Sequence, residues 1–301
     1  MIPKLYICYL FCVVQQATFI YCISNANAFV LGKTLNCLFI QLNTTMEQLS
    51  FSTGNAKLGK RLIFSLPAGY TCPHAGVCKT MADRTTGKII DLPQENGPSW
   101  QDYRCFAAMA ETRPGVRESR WNNWDLIKEV MYSVDRPEEK LVLLTQLIHE
   151  SIQAAQPVRK PCDLVRVHES GDFYTELYFR AWLQVARQNP DLKFYAYTKS
   201  LGMWYELRHV IPDNFYLTAS VGGTLDYLLP KYSEVFYRVA YVVYTEEQAE
   251  QMGLEIDHDD SHCFGPNSFA LLVHNVQRAG SEASKALAVR RKNGQWTGYK
   301  K

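Results

Sequence analysis

The chain has 301 residues, enough to bury a sizeable core in one large domain or two. Charged residues make up 21% of it and the formal net charge is +2, a balance that demands neither a nucleic-acid nor a membrane partner. Nine cysteines at this length are too sparse for a disulfide scaffold.

The first 45 residues differ in character from the rest. Lys4 precedes a mostly apolar stretch from Leu5 to Ile23, then Ala26-Asn-Ala28, which reads as a signal-like segment with a small-residue cleavage site. The competing reading is an N-terminal extension from a mis-assigned start, with translation opening at Met46. From Met46 the sequence is that of an ordinary soluble domain, expected to run from 46 to 301. A cluster of reduced cysteines belongs in a reducing compartment. The expectation is therefore a cytoplasmic protein whose main domain meets no membrane, or an exported one if residues 1–28 are a true signal peptide.

Lys60 to Pro67 reads as a strand ending at a Pro-Ala-Gly turn, and residues 79–101 as a long polar excursion. Cys105 opens a helix. Trp124 to Tyr132 and Arg136 to Ala155 are helical, the second with Leu141, Leu144, Leu147 and Ile148 at helix spacing and Pro137 in its first turn. Strands then alternate with helices. Asp163 to His168 is a strand followed by a helix from Tyr174 to Gln188; Lys193 to Thr198 is a strand followed by a helix from Leu201 to Val210. Asn214 to Ser220 leads through Gly222-Gly223 into a helix ending near Leu229. Arg238 to Tyr244 leads into a helix opened by Thr245, and Phe269 to His274 is the last strand before a basic tail from Ala279. This alternation predicts a single α/β domain, an open or partial (β/α) barrel of parallel strands.

Such folds place function at the carboxyl ends of the strands. Those ends carry His168-Glu169-Ser170-Gly171-Asp172, Thr198-Lys199-Ser200, Ser220 with Gly222-Gly223, Tyr244-Thr245 and His274-Asn275. Glu169, Asp172 and Lys199 are the catalytic candidates, because paired carboxylates and an amine can move protons or hold charged groups. His168, Ser170, Ser220, Gly222 and Gly223 are the candidates for binding a cofactor. The competing reading makes Ser170 or Asp172 a helix cap, Lys199 a solvated lysine and the glycines a plain turn.

Cys72 and Cys78 lie in one loop and Cys105 opens the next helix. Three thiolates can carry a [4Fe–4S] cluster with one open iron, where S-adenosylmethionine or water would bind. With His74 as a fourth ligand the same three could hold zinc; without a metal, Cys105 is a buried helix cysteine. Arg104, Arg113, Arg117 and Arg120 form a basic run that could meet nucleic-acid phosphates, although Glu111 and Glu118 among them favour an ion-paired surface. Asp257-His-Asp-Asp-Ser-His262 is rich in hard-metal ligands and reads either as a flexible acidic loop or as the centre of a divalent-metal-dependent hydrolase.

Several of these blocks occur together in one known family. Leu66-Pro-Ala-Gly-Tyr-Thr-Cys-Pro73 with Cys78, Arg104-Cys105, Val167 to Phe173, Phe194 to Ser200 and Ser220 to Gly223 resemble the Gene product 88 family of phage and bacterial proteins, over roughly Leu49 to Ala286. The resemblance implies one phage-related domain and little chemistry, since the family is largely uncharacterised. The cysteine loop feeding a series of βα units also resembles radical S-adenosylmethionine enzymes. It departs from their usual C-x3-C-x2-C, having C-x5-C-x26-C instead. The leading expectation is thus an iron–sulfur enzyme acting on a nucleic acid or nucleotide. The alternatives are a zinc-stabilised nucleic-acid-binding protein without catalysis and a divalent-metal hydrolase.

Overall fold

The computed structural model describes residues 47–54, 58–94, 97–98 and 102–298. The expectations for residues 1–45 lie outside the described residues. Residues 46–301 form one compact unit, and among the described residues no helix is long and apolar enough to cross a membrane.

Strand β1 (Leu62–Ser65) is buried along most of its length. The expected polar excursion folds into a hairpin of β2 (Thr80–Ala82) and β3 (Ile89–Asp91), then a two-residue pair, β4 (Pro93–Gln94) and β5 (Gly97–Pro98). Asp83 sets the hairpin turn: its Oδ1 accepts from Thr85 N at 3.1 Å and Thr86 N at 2.7 Å. Three helices follow, α1 (Phe106–Ala110), α2 (Pro114–Ser133) and α3 (Pro137–Ala155). Proline stands at the start of both α2 and α3, where its missing N–H would have no partner anyway.

From there strands and helices alternate: β6 (Leu164–Ser170), α4 (Glu176–Gln188), β7 (Lys193–Thr198), α5 (Leu201–Leu207), β8 (Phe215–Ser220), α6 (Leu228–Lys231), β9 (Val239–Val243), α7 (Glu246–Gln251), β10 (Phe269–Leu272) and α8 (Glu282–Lys292). Six strands form one parallel sheet in the order β1-β6-β7-β8-β9-β10. The sheet is open, because its first and last strands are not paired with each other. Chain order and spatial order coincide, so right-handed crossovers carry the connecting helices to one face of the sheet, while Ala283 and Leu287 of α8, after the last strand, pack with Val242 of β9 on the other.

Side-chain alternation divides the two faces. On β7, Phe194 and Ala196 join the main core with Trp182 of α4 and Trp204 of α5, while Tyr195 and Tyr197 face the other way. Helix α4 drives much of this packing by burying Tyr178, Phe179, Trp182 and Val185. Fully burying side chains of this kind stabilises the fold by roughly 1.5–3 kcal/mol each. The opposite face is covered by a short 3₁₀ turn, Ser261–Phe264, whose Cys263 and Phe264 pack on Tyr195 and Tyr216.

One irregularity matters for the site. Opposite β1, strand β6 passes from Arg166 to Ser170 while its partner passes only from Ile63 to Ser65. The extra length is taken up where His168 adopts φ 65°, as bulges do near active sites. Strand β6 therefore runs to Ser170, two residues beyond the expected end.

Candidate functional site

The loop that carries Cys72 and Cys78 leaves β1 and is clamped between two neighbouring loops. On one side Leu66 N donates to Ser170 O at 2.9 Å and Asp172 N donates to Thr71 O at 3.2 Å. On the other, Gly76 N and Val77 N both donate to Gly222 O at 3.1 and 3.0 Å, and Thr224 N donates to His74 O at 3.1 Å. Two glycines make these approaches feasible. Gly171 has φ 86° and a Cβ there would lie 2.7 Å from Thr71 Oγ1; Gly222 has φ 94° and a Cβ would lie 2.7 Å from Val77 Cγ2. Gly222 and Gly223 thus dock the cysteine loop, a role the sequence did not suggest for them.

A cavity of about 160 Å³ opens at the carboxyl ends of the strands. Cys72, Cys78 and Cys105 all line it, and so do His168, Glu169, Ser170, Asp172, Lys199 and Ser220. The fold brings nine of the eleven sequence-derived candidates to one place. Gly222 and Gly223 stand behind it, against the cysteine loop.

The thiols sit close enough to affect one another. Burial, then Asp172, Cys105 and Cys78, push the Cys72 thiol well above its ordinary range. Cys105 precedes α1, and burial followed by the charge of Cys78 pushes it up to about 12. Backbone N–H groups of Ala107 and Ala108 and the charge of Arg120 act in the opposite sense on Cys105, favouring its thiolate. Among the described residues, no three His, Cys, Asp or Glu side chains are placed to hold a single metal ion.

The other candidates have defined partners. Asp172 accepts from Thr198 Oγ1 at 2.6 Å, Phe173 N at 2.7 Å and Lys199 N at 2.9 Å. Burial outweighs these bonds and raises its affinity for a proton. Lys199 Nζ donates to Ser220 Oγ at 2.8 Å, Ser220 O at 3.0 Å and Val221 O at 2.7 Å, so all three of its protons are engaged in joining the ends of β7 and β8. Neither Ser170 nor Asp172 caps α4; that cap is Thr175, which accepts from Tyr178 N. His168 lies among Phe64, Phe173, Tyr178 and Trp182, with Nε2 2.9 Å from Tyr178 Oη. Burial lowers it to about 3, so it is a neutral imidazole at physiological pH. Glu169 stays one-third exposed at the cavity, 3.4 Å from Arg120.

The basic run is mostly internal. Arg120 is buried on Glu111 at 2.8 Å and donates to Ala107 O at 2.8 Å. Arg117 is buried and donates to Arg84 O and Glu111 O. Arg104 pairs with Asp91 at 2.5 Å, and only Arg113 of the four is exposed. These residues hold the hairpin, α1 and α2 together rather than presenting one phosphate-binding face. The acidic loop is likewise engaged. Asp260 is fully buried on Arg166 at 2.5 Å and accepts from Tyr195 Oη at 3.1 Å, and Asp257 lies 3.4 Å from Tyr197 Oη. The loop's buried carboxylates close the far face of the sheet, while His258, Asp259 and Ser261 stay exposed.

Several site residues escaped the sequence reading. Glu111 accepts from Ala68 N at 2.8 Å and so ties α1 to the cysteine loop. Asp226 accepts from Gly222 N and Gly223 N at 2.7 and 3.0 Å and fixes the glycine turn. Arg166 and Tyr103 also line the cavity. Arg166 left a signal, a charged residue inside the apolar run of β6; Asp226 left a weaker one, an aspartate just after a Gly-Gly turn.

The sequence profile of the family described as Gene product 88 matches residues 43–292, and the chain belongs to that family. It is similar to the Gene 88 protein of Mycobacterium phage L5, with 31% identity over 117 residues, 36% of this chain and 46% of that protein. It is also similar to the Gene 88 protein of Mycobacterium phage D29, with 27% identity over 117 residues and the same shares. The alignments thus span just under half the length of these relatives. No solved structure matches the chain.

Proposed function

We propose that this phage-related protein is an iron–sulfur enzyme resembling radical S-adenosylmethionine proteins, acting on a nucleotide or nucleic acid. One observation carries the reading: three cysteine thiols from two separate segments line one cavity at the carboxyl ends of an open parallel sheet. A four-iron cluster spreads three thiolates over three different irons, so its ligands stand further apart than those around one zinc. When bound, such a cluster supplies one-electron reduction at its open iron, the chemistry by which S-adenosylmethionine is cleaved.

The chain's own residues supply the rest. Cys72, Cys78 and Cys105 would hold the cluster, with Arg120 and the Ala107 and Ala108 N–H groups offsetting negative charge on Cys105. Glu169 would receive a cationic group of the cofactor, being the cavity carboxylate with exposure to spare. Asp172, Lys199 and Ser220 fix the rim by their mutual bonds. The buried rim would keep water away from the reacting group.

The test is iron and acid-labile sulfide analysis with a visible spectrum on the full chain purified without air. A Cys72→Ala, Cys78→Ala, Cys105→Ala variant is measured beside it. Iron and sulfide present in the native protein and lost in the variant are expected, followed by reductant-dependent cleavage of S-adenosylmethionine. Iron-free native protein, after anaerobic reconstitution with iron and sulfide, would refute the reading.

A further inference from the structure

The cavity has a second end, on the face of the sheet that carries Tyr195 and Tyr197. Its floor is formed by Arg166 of β6 and Tyr197 of β7, with Asp257 from the loop before β10, and Val242, Leu271 and Trp296 beside them. Arg166 is almost wholly buried, its Nη1 is held by Asp260, and among the described residues its Nε–H has no hydrogen-bond partner. An unpartnered buried donor is costly unless something else accepts from it. Asp257 is 3% exposed, and its carboxylate faces Tyr197 Oη at 3.4 Å and His262 Nδ1 at 3.5 Å. Tyr197 lies between the two: the Arg166 guanidinium stands 5.3 Å from its ring centroid while its hydroxyl reaches Asp257.

Charge narrows what fits. The Arg166 guanidinium is already balanced by Asp260, so an anionic ligand group on this floor would be desolvated beside the Asp257 carboxylate without a counter-ion of its own. The floor nevertheless offers one donor, one acceptor and aromatic surface. We propose that it seats an uncharged planar heterocycle bearing both a hydrogen-bond acceptor and a donor, the chemistry of a nucleobase. The acceptor takes the Arg166 Nε–H, the donor meets Asp257, and the ring lies against Tyr197. This rests on the reading of the cavity as an active site and names the class of its substrate.

The experiment is calorimetric titration of the full-length protein with uracil, hypoxanthine and adenosine, each with and without saturating S-adenosylmethionine, with benzoate as a charged control. Iron content is measured on the same preparation. Two variants are compared: Arg166→Lys keeps the charge opposite Asp260 and deletes Nε, and Asp257→Asn removes the charged acceptor. At least one base is expected to bind while benzoate does not, and each variant that retains the native circular dichroism should weaken that binding tenfold or more. A Leu271→Trp variant, which fills the floor without touching its polar groups, should abolish it. Absence of binding by every base overturns the proposal. So does binding that is unchanged in Asp257→Asn, and so does binding that S-adenosylmethionine displaces, since the base then occupies the cofactor's seat. Iron without base binding refutes this inference alone. Base binding that responds to the variants in protein that stays iron-free after anaerobic reconstitution leaves it standing and refutes the iron–sulfur reading.

Discussion

Lowering the pH should destabilise this fold through His168, by an amount the structure sets. The imidazole is 3% exposed, packed tilted and edge-on among aromatic rings, and burial holds it at about 3, against about 6.5 for an exposed histidine. The unfolded chain therefore takes up a proton as the pH falls below its ordinary value, while the folded chain does not until near 3. Stability from this residue is complete above the unfolded value and is lost on the way down. Between about pH 7 and about pH 5 the loss is about 2 kcal/mol, from the ratio of the two proton-binding polynomials. Urea unfolding monitored by tryptophan fluorescence would measure it, comparing native protein with His168→Gln at both pH values. The variant has lost aromatic packing and should be less stable throughout. Its additional loss on acidification, however, should be smaller than that of the native protein by the same ~2 kcal/mol. Equal acid losses in the two proteins would refute the argument, because every other titrating group is common to both.

Other substitutions test the parts separately. Gly222→Ala places a Cβ against Val77 and Tyr103 and should displace the cysteine loop; iron recovered after anaerobic reconstitution should fall while the far-UV circular dichroism is retained. Arg120→Met leaves Glu111 buried without its cation and should cost about 3–5 kcal/mol in urea unfolding, with part restored by adding Glu111→Gln. Lys199→Met removes three bonds that join the ends of β7 and β8 and should destabilise the protein by about 1–3 kcal/mol; if Lys199 acts only as this tie, the pH profile of turnover should keep its shape. Asp91 is paired with Arg104 and Arg278, which hold it below the usual carboxylate range against the opposing effect of burial. Its contribution is present above its ordinary titration range and lost as the pH falls through its lowered folded value. Asp91→Asn should therefore flatten the acid limb of the stability curve below about pH 4.

The α/β alternation was legible because each βα unit repeats a local pattern: an apolar strand, a polar end, a helix with one apolar stripe. The convergence of the thiols was partly legible for the same reason, since a loop leaving β1 and residues at later strand ends must share one edge of a parallel sheet. What each polar residue does there was not legible. Lys199 and Asp172 look like catalytic groups in the sequence, yet their hydrogen-bonding capacity is taken up by partners 21 to 27 residues away, and no local pattern encodes such partners. The bulge in β6 was equally hidden. It depends on pairing with β1, about 100 residues earlier in the chain, and shows in the sequence only as a histidine where a strand was expected to stop.

The misread charges share one cause. Arg104, Arg117 and Arg120 look like a surface stripe, and Asp257 to His262 look like an acidic loop, because charge in a sequence is read by default as exposed. In this fold one face of the sheet lies away from the crossover helices and the cysteine loop lies outside the main core, against α1 and α2, so both regions need a cover that the main apolar core does not provide. Arg120 with Glu111 secures the cysteine loop, and Arg166 with Asp260 secures the far face. Each pair is buried at the cost of desolvation, and apolar residues of similar volume could be as stable. Ionic cover differs from apolar cover in leaving directed donors and acceptors beside a cavity. Only such a cover supplies the Arg166 Nε–H and the Asp257 carboxylate at the floor, and the Arg120 charge beside Cys105. The same charged residues that conceal the site in the sequence are therefore those that give its cavity chemical character.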